Sequence, residues 1–219
     1  MYFCLVKDQS AILLELAYLP NVQYFTKLLA YDKVYLEAQE HYSKGSYRNR
    51  CHIVAANGLQ RFSIPLNKGK HQKMGIRNVE IAYTENWQAQ QWQSIQSAYG
   101  NAPFFEFYAD ELAPVFKMKT HLLWDWNWHL LRLMLQLTGI DANIEFTTSY
   151  EPTPPAEILD FRNSISPKKQ RQKEDARFEP SPYAQVFTER HGFLANLSIL
   201  DVLFCTGPGA IQVIQNSIR

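Results

Sequence analysis

The stretch AILLELAYLPNVQYFTKLLAYDKVYLEAQ (residues 11–39) decides the fold. AILLELAY (11–18) is a nearly continuous apolar run, which reads as a buried strand. Pro20 and Asn21 then open a segment in which Val22, Phe25, Leu28 and Leu29 recur on one helical face. KVYLEAQ (33–39) alternates and is rich in strand formers. Strand, helix and strand in succession form a parallel β-α-β unit, and open α/β sheets place ligands beyond the C-terminal ends of their strands. The expectation is an α/β fold: a single compact domain over 1–219 with a β-α-β opening, a β-hairpin and a helical middle region.

Working outward, CHIVAANGLQRFSIPL (51–66) reads as that hairpin, turning at Asn57-Gly58, with Pro65 marking an edge. LNKGKHQKMGIR (66–77) follows as a loop in which Gly69 and Gly75 bracket Lys70, His71 and Lys73. Helices are expected from Asn86 to Tyr99, from Phe104 to Pro114 and from Thr120 to Gly139. The last has apolar stripes on two sides and a polar stripe of Asp125, His129, Arg132 and Gln136. IEFTTSYEP (144–152) and YAQVF (183–187) read as strands. RNSISPKKQRQKEDAR (162–177) is polar throughout and reads as a surface loop. NLSILDVLF (196–204) begins a helix with Ser198 and Asp201 in a capping-box-like pair, and GPG (207–209) separates it from a last short helix.

Charge is segregated along the chain. Between His41 and Arg77 lie eight Lys/Arg, three histidines and no Asp or Glu, leaving 14 basic against 21 acidic residues elsewhere. A zone of one sign steers an oppositely charged ligand, so an anion is expected. The three cysteines (Cys4, Cys51, Cys205) are scattered, which suggests neither a disulfide framework nor a zinc knuckle. The start MYFCLVKDQS lacks the pattern of a secretory leader and no stretch is apolar enough to span a membrane, so a reduced, cytoplasmic setting is expected. No cofactor motif is present.

Three segments carry a resemblance: YLPNVQYFTKLLAYDKVYLEAQEHYSKGSYRNRCHI (18–53), NWQAQQWQSIQSAYGNAPFFE (86–106) and HGFLANLSILDVLFCTGPGA (191–210). Together, and in this order, the chain resembles the WbqC-like protein family of bacteria. The resemblance implies a role in synthesis of surface polysaccharide, that is O-antigen or lipopolysaccharide. Longer members carry a further helix-strand segment with a Ser-Gly-Pro turn where this chain has 162–177.

HYSKGSYRNR (41–50) is the site candidate, because it follows the second strand and gathers cations with aromatic rings. Lys44, Arg48 and Arg50 would hold an anion, Arg through its fork and Lys as a point charge, with Tyr47 stacking on the ligand. His41 is the catalytic candidate, because an imidazole in general can carry a proton near neutral pH. The plain alternative is a solvated surface. The turn Tyr18–Asn21 offers a second anion position at a helix N-terminus. His191, Ser198 and Asp201 lack a nucleophile elbow, and His41, His52 and His71 lack ligand spacing, so neither a triad nor a metal is expected. Asp125 and His129 read as a surface ion pair. The ligand expected is a phosphorylated sugar or nucleotide-sugar, used by a transferase or an accessory protein. The alternatives are a nucleic-acid-binding protein, against which the acidic remainder argues, and a non-catalytic interaction protein.

Overall fold

The computed structural model describes residues 8–67 and 74–219. Lys68, Gly69, Lys70, His71 and Lys73, and also Cys4, lie outside the described residues, so part of the acid-free zone has no structural account.

Strand β1 (Asp8–Glu15), helix α1 (Val22–Ala30) and strand β2 (Tyr31–Glu37) form the expected unit, and β1 and β2 run parallel from Ala11 opposite Lys33 to Glu15 opposite Glu37. The two arms of the hairpin, β3 (Arg50–Ala55) and β4 (Gly58–Ser63), follow. Helices α2 (Trp87–Tyr99), α3 (Phe105–Leu112) and α4 (Leu123–Thr138) make the middle region. The rest comprises β5 (Ile144–Phe146), β6 (Ile158–Asp160), α5 (Thr188–His191), α6 (Ile199–Thr206) and α7 (Ala210–Asn216).

The main sheet has the order β5-β2-β1-β6 and every pairing in it is parallel. Ile12, Leu14, Val34 and Leu36 point from its central strands into one continuous core, shared with Phe25 and Leu28 of α1, Trp126 and Leu130 of α4 and Leu200 and Phe204 of α6. Apolar side chains covered this completely each contribute about 1.5–3 kcal/mol. Helix α4 ends at Gly139, whose φ of 68° is the left-handed cap that glycine adopts without cost.

Several expectations are corrected. The hairpin turns at Ala56-Asn57, with positive φ on Gly58 alone (100°), so a right-handed turn is closed by one left-handed glycine. Residues 183–187 form no strand, because Gln185 and Tyr183 are drawn inward onto Asp201. Ser198 does cap α6, accepting from Leu200 N, but Asp201 takes no part in that cap. Its carboxylate instead accepts from Tyr99 Oη (2.8 Å), Tyr183 Oη (2.6 Å) and Gln185 Nε2 (2.9 Å). Asn86 precedes α2 without a side-chain cap bond.

The run 162–177 is a surface loop only in its later part. Arg162, Ser164, Ile165 and Ser166 are buried. Further on, Asp175 accepts from Lys27 Nζ at 2.8 Å and from Gln23 Nε2 at 2.8 Å, pinning the segment to α1. A polar composition hides such anchoring, because a buried charge with a partner reads in sequence like a solvated one.

Candidate functional site

Each central strand of the sheet ends in a glutamate. Glu15 closes β1, Glu37 closes β2, and Glu40 follows three residues later; all three are buried. Buried carboxylates need partners. Arg48, fully buried in a short helical turn at Tyr47–Asn49, forks onto Glu40, with Nε on Oε1 at 2.6 Å and Nη2 on Oε2. Its Nη1 lies 3.9 Å from Glu15 Oε1. Arg162 serves Glu37 (2.9 Å) and Asp160 (2.7 Å), and its Nη2 also donates to the Glu151 carbonyl. The Glu37 carboxylate further accepts from Thr147 Oγ1 and Gln39 N.

This edge opens on a cleft of about 390 Å³. Glu15 and Glu40 form one side of it, with His41, Ser43 and Ser46 from the loop after β2. The 162–177 segment contributes Asn163, Ile165, Ser166, Arg171 and Lys173, and Gly45 and Tyr150 complete the lining. Tyr150 is half exposed, and the Arg162 guanidinium lies over its ring, 4.9 Å from the ring centre. The cleft therefore offers carboxylate and hydroxyl groups low down, two cations on its outer segment and an aromatic platform.

The electrostatics follow from burial. Loss of solvent pushes the Glu40 carboxyl above its ordinary pKa, and Arg48 draws it only part of the way back. Burial works against the Arg48 charge as well, but Glu40 and Glu15 outweigh it and hold the guanidinium pKa up. Asp160 is held below the ordinary carboxylate range by its bond from Arg162.

The expected site residues do not gather in the cleft. His41 lines the cleft and is exposed. Lys44 is exposed on the same loop but does not line the cleft. Arg48 sits behind the lining as the counter-ion of Glu40. Tyr47 borders a small adjoining cavity with Glu15, Asn21 and Tyr24, and burial raises its phenol to about 12. Arg50 opens β3 on the hairpin side, where burial and then Arg61 lower its pKa. Since Arg48 precedes the strand, the two arginines do not share a strand face.

The turn Tyr18–Asn21 provides no anion site. The free N–H groups at the start of α1 are already used, Val22 N by Leu197 O, Gln23 N by Asn196 Oδ1 and Tyr24 N by Asn21 Oδ1. Glu15, Glu40, Arg162, Arg171 and Lys173 escaped the sequence reading. Glu15 had a signal, a lone acid inside an otherwise apolar strand. No group of His, Cys, Asp and Glu among the described residues is arranged to hold a metal ion, and no helix among them is long and apolar enough to cross a membrane.

The profile of the WbqC-like protein family matches residues 17–166, so the chain belongs to that family. The uncharacterized protein Rv1507c of Mycobacterium tuberculosis (strain ATCC 25618 / H37Rv) is 31% identical over 137 residues, which are 61% of this chain and 58% of its own length. The chain thus spans little more than half of that relative. No solved structure matches.

Proposed function

We propose that this WbqC-like family protein binds a phosphorylated sugar or nucleotide-sugar in the cleft at the C-terminal edge of its parallel sheet, as a transferase or accessory protein of surface-polysaccharide assembly. The observation that supports this reading is the pairing, in one cleft, of buried carboxylates with an outer pair of cations. Carboxylates accept hydrogen bonds from sugar hydroxyls, and Tyr150 gives the sugar ring a flat surface. Arg171 and Lys173 suit the phosphate, Arg by a fork of donors and Lys by a mobile charge. His41 stands at the rim as the imidazole able to pass a proton to or from the phosphate side. Arg48 supports the site from behind, by fixing Glu40.

Thermal shift tests the reading. Glucose 6-phosphate and UDP-glucose should raise the melting temperature, by an amount that falls as salt rises, because the cations at the rim are exposed to screening. Free glucose should shift it much less. If short RNA stabilises the protein and neither sugar phosphate does, the ligand is a nucleic acid and the reading is wrong.

A further inference from the structure

Within that cleft, and resting on its being the sugar-phosphate site, we propose that Glu15 and Arg48 together read one hydroxyl group of the ligand. Arg48 spends Nε and Nη2 on Glu40, while its Nη1 is buried and has no hydrogen-bond partner among the described residues. An unpaired buried donor is costly and calls for an explanation. Glu15 shows the complementary vacancy of bonding. Its Oε2 accepts from Asn163 N at 2.8 Å, whereas Oε1 accepts no hydrogen bond among the described residues and lies 3.9 Å from that same Nη1.

A separation of 3.9 Å is too long for a direct bond. It suits one oxygen placed between the two groups, since two bonds of about 2.8 Å meeting at about 90° span it. The oxygen must accept from Arg48 and donate to Glu15. A hydroxyl does both; an ammonium group cannot accept, and an ionised phosphate cannot donate. Glu15 lines the cleft, so the hydroxyl reaches the pair from the Glu15 side. Asn163 adopts a left-handed φ of 59° as it delivers its N–H to Glu15, a conformation uncommon for a residue other than glycine. The pair would make the cleft selective, because a site built to bond a hydroxyl rejects the analogue that lacks it.

The test is calorimetric titration of the full chain with glucose 6-phosphate and with its monodeoxy analogues. Loss of one particular hydroxyl should weaken binding by about tenfold or more, and loss of each other hydroxyl by less than about threefold. In Glu15→Gln, Asn163 N–H keeps the carbonyl oxygen at the Oε2 position, so an NH₂ donor replaces the acceptor that faces Arg48. That variant should bind the parent compound as weakly as the wild type binds the critical deoxy analogue, and should no longer distinguish the two. If Glu15→Gln does not fold, the analogue series on the wild-type chain decides alone. Binding of all the sugar phosphates within about twofold of one another would overturn the hydroxyl pair and leave the cleft reading in place. Failure of every sugar phosphate to bind would overturn both.

Discussion

Glu40 and Asp201 are about equally removed from solvent, 5% and 0% exposed, yet their partners differ in kind. Glu40 is answered by a guanidinium and opens on a cleft shared with Glu15, His41 and Lys173. Asp201 is answered by two phenols and an amide, which tie α6 to α2 and to the segment around Tyr183. Burial raises the pKa of both carboxyls. At the sheet edge the polar network is left incomplete, with Arg48 Nη1 unpaired among the described residues. Around Asp201 the donors converge on one acceptor. A closed polar knot serves stability, whereas an incomplete one beside a cleft has capacity left for a ligand.

The largest effect expected is from Arg48→Ala. It leaves Glu40 and Glu15 buried without a cation, and unfolding in urea should show a loss of about 3–5 kcal/mol. Arg48→Lys should recover only part of this, since an ammonium cannot reproduce the fork. A variant that unfolds like the wild type would mean that the acids are not held by Arg48, and the comparison would collapse.

Asp201→Ala comes next. It removes the acceptor from Tyr99, Tyr183 and Gln185, each buried or partly so, and should cost about 2–4 kcal/mol. The comparison sharpens with pH. Because the folded-state pKa of Asp201 is raised, protonation favours the native state, so its contribution to stability grows as pH falls and is lost as pH rises through the folded value. Asp201→Asn cannot titrate there. The stability difference between wild type and Asp201→Asn should therefore move in favour of the wild type on acidification from pH 7.

His52 has the opposite sign and a smaller effect. Burial, then Arg61 and Arg50, lower its pKa, so the unfolded chain takes up the proton first. Its contribution is intact above the unfolded value near 6.5 and is lost as pH falls below it. Between pH 7.5 and 5.5, His52→Gln should gain on the wild type in denaturant titrations, by less than Asp201→Ala loses. A constant difference over that range would show that His52 titrates freely.

Much of the fold was legible because its signals are local. The periodicity of 11–39 gave the parallel unit, and the glycine at 58 gave the hairpin within one residue. Strand β6 was hidden, being three residues long after a Pro-rich break. The site was harder to read because charge pairs through space rather than along the chain. The acid-free window opened at His41, one residue after Glu40, so Arg48 counted as free charge although its partner stood eight positions before it. Arg162 and Lys173 lay in a run whose composition matched a solvated loop, and only the tertiary contacts of Glu37 and Asp175 separate its anchored residues from its exposed ones.

The smallest effect on stability and the largest on binding should coincide in Arg171→Ala/Lys173→Ala, since both residues are exposed and substitutions there change stability by no more than about 0.5 kcal/mol. Titration of this variant, the wild type and Asp201→Asn with glucose 6-phosphate, at low salt, tests the central claim most directly. The wild type and Asp201→Asn should bind with similar affinity and the double variant at least about tenfold more weakly. Equal binding by all three, or binding lost only in Asp201→Asn, would contradict the assignment of the cleft as the ligand site.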